Sequence, residues 1–292
     1  MRAAPLTPGP GGAVVLVAHG SRDPRAAAST RALVRAVRTA VPDLAVRESY
    51  LDHTSPAPDV VLGELEADGH PVAFLVPLLL TAAYHGRVDV PAAVAQARSA
   101  GLRMPVRVTR VLGPEPGPTD GPPVGPSGGA PVGPVDAPPV GPVPGSPARV
   151  AGQSTGCDPV HGALLAGLRR RLTESAPDGF DGVVLAAAGT RDAAARLTVE
   201  RAAAVLGASL GVPCVAAYAS AASPTADVAV EGLRAAGARR VAAAAYFLAP
   251  GRLYDVAAAA ARDAGAVAVA APLGDAPELV ELILSRVGSV IG

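Results

Sequence analysis

VVLVAHGSRD at residues 14–23 returns as VVLAAAGTRD at residues 183–192, and this repetition decides how the chain is read. Each copy is a short apolar run ended by Gly, the pattern of a buried strand leaving a sheet. One position separates them: His19 faces Ala188. Further on, VPLLLTAAYHGRVDVP at 76–91 is echoed by AAYFLAPGRLYDVA at 244–257, where His85 meets Gly251 or Leu253 depending on the alignment. A third echo closes each half: RVLGP, an interruption and DPVHGALLAGLRRRL in the first, VAAPLGDAPELVELILSRV in the second. The preserved order points to a duplication, followed by loss of histidine chemistry in the second copy.

Composition sets the bounds around that repeat. With 292 residues, half of them hydrophobic but only 3% aromatic, the chain can build two modest cores filled by Ala, Val and Leu. The formal charge is zero and the basic residues are scattered, so no footprint for nucleic acid or an anionic membrane is expected. All 25 basic residues are Arg. Without Lys there is neither Schiff-base chemistry nor a phosphate-loop lysine, which excludes pyridoxal enzymes and P-loop ATPases. Two cysteines, Cys157 and Cys214, are too few for a disulfide scaffold and fit a reducing cytoplasm. The first dozen residues lack the apolar core of a signal peptide and no apolar run is long enough for a membrane span, so a soluble, cytoplasmic protein is expected.

Residues 113–147 hold 13 Pro and 9 Gly, with PVGP starting at Pro123, Pro131 and Pro139. Such a tract cannot bury enough apolar area to offset its ordering entropy, and disorder is expected across 113–156. Its place in the repeat makes it an insertion between the last strand and last helix of the first half, not a linker. The expected domains are therefore 1–178, carrying the insertion, and 179–292, with the boundary near 175–179.

Short Val, Leu and Ala runs at 13–18, 45–50, 72–78 and 106–111, and again at 182–187, 213–218, 241–246 and 266–270, alternate with helical stretches such as 25–40, 57–68, 88–100 and 159–172. That alternation predicts an α/β fold: two tandem βα sandwiches, each with a four-stranded parallel sheet flanked by helices. Ligands of open parallel sheets bind beyond the carboxyl ends of the strands. His19 follows the first strand and His85 the third, so both reach one crevice.

AHGSRD and LTAAYHGRVDVP, with their histidines 66 residues apart, resemble the class II tetrapyrrole chelatases, specifically the sirohydrochlorin chelatases of the sirohaem and cobalamin pathways. The resemblance covers the chain outside the Pro/Gly tract and is similar to the family's long form, in which a catalytic half precedes a degenerate one. It implies a lyase that inserts Fe²⁺ or Co²⁺ into sirohydrochlorin with release of two protons. His19 and His85 would be the metal ligands, and Asp52 in SYLD would stand at an acidic position where the family often has Glu. The ion is a substrate, so no permanently bound cofactor is implied. Neutral imidazole binds such borderline ions and accepts protons near neutral pH, yet two ligands release the ion more readily than four. Arg22 and Arg87, beside the histidines, would hold carboxylates of this polycarboxylate substrate. Ser21 would line the site or cap the helix that starts near Pro24. The copy is expected to take the place of a homodimer mate, giving a monomer with pseudo-dimeric halves.

The remaining histidines read as structural: His53 in a loop, His70 in a turn, His161 at the start of a helix. Arg191 and Asp192 preserve a helix start in the copy, and Asp89 and Asp255 add acidic charge at helix N-termini. Two other readings compete. LVAHG resembles the strand end of histidine phosphatases, but Ala18 stands where that family holds phosphate with Arg. A non-catalytic tetrapyrrole or metal carrier would use the same two histidines. Iron and cobalt are not separated by imidazole ligation.

Overall fold

The computed structural model describes residues 11–81, 89–114 and 160–291. The expected insertion from residue 115 on, His85 and Arg87 fall outside these residues. The first half runs β1 (Ala13–Ala18), α1 (Pro24–Ala40), β2 (Ala45–Tyr50), α2 (Pro58–Ala67), β3 (Ala73–Pro77), α3 (Val90–Ser99), β4 (Val106–Val108) and α4 (Gly162–Ser175). The second half repeats it: β5 (Gly182–Ala187), α5 (Ala193–Leu210), β6 (Cys214–Tyr218), α6 (Ala226–Ala235), β7 (Val241–Tyr246), α7 (Arg252–Asp263), β8 (Ala268–Val269) and α8 (Pro277–Gly288). Both sheets are four-stranded and parallel, ordered β2-β1-β3-β4 and β6-β5-β7-β8. The expected fold class is the observed one.

The outer strands β4 and β8 are shorter than their apolar runs. β4 pairs with β3 only from Val106 to Val108, and the chain then peels off to hydrogen-bond through Leu112 N–H to the Leu79 carbonyl. β8 keeps two residues, Ala268 and Val269, against β7. A strand at a sheet edge has one neighbour to bond, and here the pairing stops while that neighbour continues, β3 to Pro77 and β7 to Tyr246.

The sheets are buried on both faces. Val15, Val17 and Leu75 of the first sheet turn outward onto Val61 and Leu65 of α2 and Val90 and Val94 of α3. Val14, Leu16, Phe74 and Val76 turn inward and join one core continuous with Val183, Leu185, Ala242 and Ala244 of the second sheet. Between the sheets lies a layer of helices in the neighbour order α1, α8, α4, α5.

That order holds the main departure from the sequence reading. α4, which closes the first half in sequence, packs on β7, β8 and α5 of the second; α8, which closes the second half, packs on β3 and α1 of the first. Gly167 of α4 makes the close approach possible, since a Cβ there would lie 3.2 Å from Leu273 Cδ2. Arg170 of α4 bonds Glu278 of α8 through Nε at 2.9 Å. Arg286 of α8 donates to the Leu112 carbonyl at 3.4 Å, and Arg107 of β4 to the Val290 carbonyl at 2.5 Å. Each sheet is therefore covered by the last helix of the other half. The Pro/Gly-rich tract connects β4 of one sheet to a helix lying on the other.

Among the described residues no helix is long and apolar enough to cross a membrane.

Candidate active site

In the order β2-β1-β3-β4 the chain leaves β1 to one side and returns on the other, so β1 and β3 flank the point where the winding reverses. Loops diverge there beyond the carboxyl ends, leaving a crevice. His19 and Gly20 leave β1 into it, and Leu78 to Thr81 lead off β3 toward residue 85.

Backbone geometry fixes the His19 loop. The His19 carbonyl accepts from the Asp52 N–H at 2.8 Å, and Gly20 then turns with φ +93°. A Cβ on Gly20 would stand 1.7 Å from the Asp52 carbonyl oxygen, so no larger residue fits. Thr54 closes the loop: its hydroxyl donates to the Ser21 carbonyl at 3.1 Å and accepts from the Ser21 N–H at 3.3 Å.

The copy builds the same loop without the imidazole. Ala188 replaces His19, the Ser220 carbonyl replaces that of Asp52 at 1.9 Å from a Cβ on Gly189, and Ala221 takes the left-handed backbone of His53, with φ 60° and 58°.

Ser21 does not cap α1. Asp23 is the N-cap, its carboxylate accepting from the Arg25 N–H at 2.9 Å, while the Ser21 hydroxyl accepts from the Asp23 N–H at 3.0 Å. A capping oxygen must reach the first turn, and Ser21 lies one residue pair too early. Asp192 caps α5 in the same way, with Thr190 in the place of Ser21. The guanidinium of Arg25 grips Asp23 and holds its carboxyl below the usual range.

The site has two walls. A cleft of about 1220 Å³, counting the part open to solvent, is lined by His19 and Leu78 to Thr81 from the first half. Ala188, Tyr246, Leu248 and Arg252 from the second half line the same cleft. A second hollow of about 610 Å³ runs beneath His19 to Thr30 and Tyr50, bounded across by Leu248 and Ala249. Because α4 and α8 exchange sheets, the two switch points open toward each other.

Asp52 is exposed, and its side chain accepts from the His53 N–H at 2.7 Å and faces His53 Nδ1 at 3.3 Å. It is not among the residues that line the cleft with His19. Its backbone carbonyl is what forces Gly20. Arg22 is exposed beside His53 on an adjoining groove shared with Arg252 and Asp255. His70 Nδ1 lies 2.7 Å from the Gly11 carbonyl, and His161 caps α4 through Nδ1 to the Ala163 N–H at 3.2 Å. Asp255 in the first turn of α7 pairs with Arg25 at 2.5 Å, tying the halves beside the groove. Among the described residues no group of three or more His, Cys, Asp or Glu could hold a metal ion. Reading from sequence missed Arg252 and Tyr246; the Gly251-Arg252 pair echoing Gly86-Arg87 was the available signal.

The CbiX family model matches the chain twice, at residues 13–119 and 182–290. No curated protein matches it. Among solved structures it is similar to SirB from Bacillus subtilis with Fe3+, at 17% identity and TM-score 0.69 over 94% of both chains. It is similar also to the sirohydrochlorin chelatase SirB from Bacillus subtilis subspecies spizizenii in complex with cobalt, at 16% identity and TM-score 0.66 over 94% of this chain and 93% of that one. DR2241 from Deinococcus radiodurans, a multi-domain protein with structural similarity to chelatases, matches 95% of this chain and 54% of its own at 18% identity and TM-score 0.57. These likenesses share the two-sheet fold described above, and the double match over most of the chain shows that the protein belongs to the CbiX family.

Proposed function

We propose that this protein is a sirohydrochlorin chelatase, a lyase that inserts Fe²⁺ or Co²⁺ into sirohydrochlorin with release of two protons. The observation that carries the reading is His19, set by a glycine turn at the lip of a two-walled open cleft in a chain of the CbiX family. An imidazole there can pass a borderline divalent ion to a macrocycle and accept a pyrrole proton near neutral pH. His85 is the proposed second ligand and proton acceptor. SirB structures solved with Fe3+ and with cobalt support iron or cobalt as the substrate metal. Arg22 and Arg87 are proposed to bind peripheral carboxylates, with Ser21 holding the shape of the histidine loop.

In this proposal the first half, 1–178, supplies the chemistry, and 179–292 supplies the opposite wall in place of a subunit, leaving the chain a monomer. Incubating the protein with Co²⁺ and metal-free sirohydrochlorin tests the reading. Conversion of the absorption spectrum well above the spontaneous rate is expected. Binding of the tetrapyrrole without conversion would identify a carrier instead.

A further inference from the structure

We infer that Arg252, in the half without the histidine, binds a peripheral carboxylate of the tetrapyrrole opposite Arg22. The inference rests on the chelatase reading. Arg252 is exposed and lines both the cleft that holds His19 and the groove that holds Arg22 and His53. It is thus the cation shared by the two concavities that meet at Gly20 and Ser21.

The neighbouring charges leave it available. Arg25 is occupied, gripping Asp23 through Nη2 at 2.6 Å and Asp255 through the same nitrogen at 2.5 Å. Both acidic groups bordering the groove beside Arg252 are therefore already engaged by Arg25, which leaves the trio one net negative charge. Among the described residues neither Arg22 nor Arg252 has a carboxylate within ion-pair distance. A polyanion entering the groove meets one guanidinium from each half, Arg22 and Arg252, outside that ion-pair trio.

Placement of Arg252 also works against the fold. It is the first residue of α7, following the Gly251 N-cap, where the partial positive charge of the helix end disfavours a cation. A residue kept for stability would be acidic or neutral there, as Asp255 is one turn later. A cation that opposes the helix end while facing the cleft fits a role in anion binding.

The test compares wild type, Arg252→Ala, Arg252→Lys and Arg252→Glu for binding of metal-free sirohydrochlorin, followed by the fluorescence of the macrocycle, and for steady-state Co²⁺ insertion. Loss of a charge-assisted hydrogen bond should raise Kd and KM about tenfold or more in the Ala variant, with kcat little changed. Lys should recover part of the loss and Glu should deepen it. The melting temperature of Arg252→Ala should equal or exceed that of wild type, a result no structural role would give. Wild-type Kd and KM in both the Ala and the Glu variants would overturn the inference while leaving the chelatase reading intact. Failure of wild type itself to bind or metallate the tetrapyrrole would overturn that reading, and this inference with it.

Discussion

The Tyr246 hydroxyl at the end of β7 donates to the Leu80 carbonyl, just past β3 in the other half, at 3.1 Å. The phenol is fully enclosed, and burial pushes its pKa well above the ordinary tyrosine value. It therefore stays a donor throughout the range in which the protein would work. Leu80 also crowds Gly113, where a Cβ would lie 1.7 Å from the same carbonyl oxygen. One bond thus ties the second half to the segment that leads toward His85.

Tyr246→Phe should leave the Leu80 carbonyl buried without its donor and lower stability by about 1–3 kcal/mol. The deficit, read by denaturant unfolding, should be the same at about pH 6 and about pH 9, because the phenol does not titrate between them. A deficit that shrinks on the alkaline side would mean that the phenol ionises there.

Gly20→Ala and Gly189→Ala place a methyl group against a carbonyl oxygen, 1.7 Å from that of Asp52 and 1.9 Å from that of Ser220, at φ +93° and +91°. Each should destabilise the fold by at least about 2 kcal/mol. Only Gly20→Ala moves the residue next to His19, so only it should lower kcat strongly. An equal fall in kcat for Gly189→Ala would show that the second loop shapes the reacting centre.

His19→Ala and His85→Ala should each slow metal insertion at least about tenfold, and the double variant should lose less than the product of the two. Asp52→Asn should leave the rate within about twofold, since this exposed carboxylate is engaged with His53 outside the cleft lining. A large loss for Asp52→Asn, measured as initial rate with Co²⁺, would restore it as a ligand or proton acceptor.

The first half alone, residues 1–178, keeps α4 but loses the sheet under it, and its own sheet loses α8. The bared apolar faces should drive two copies to exchange α4 helices, giving a dimer or, where that fails, aggregation. Light scattering after gel filtration checks this. A fully active, stable monomer would show that the exchange of helices is dispensable.

Burial alone would raise the Glu278 carboxyl, but the Arg170 guanidinium outweighs it and holds the group below its ordinary value of 4.5. A depressed folded-state value adds stability that is complete above 4.5 and is lost as pH falls through the lower value. Glu278→Gln should therefore cost stability at neutral pH and flatten the acid limb of the unfolding curve. An unchanged acid limb would mean that the α4–α8 pair contributes nothing to it.

The sequence by itself determined the duplication, the parallel α/β architecture, the limits of β1, β2, β5 and β7, and the place of His19 beyond the first strand. These features are local. An apolar run bounded by Gly specifies a buried strand wherever it lies, and the loss of His19 at Ala188 is visible without coordinates. The edge strands β4 and β8 were less legible, because each leaves its single neighbour while β3 and β7 run on.

Tertiary structure alone decided which sheet each closing helix covers, and with it the shape of the site. α4 and α8 carry the same kind of apolar face, and nothing in an amphipathic pattern names the surface it will meet. Their exchange sets the two switch points face to face, so Arg252 and Ala188 line the cleft of His19. Two alignable halves fold as one core because burial of an apolar face is non-directional, and the nearest complementary face belongs to the other half.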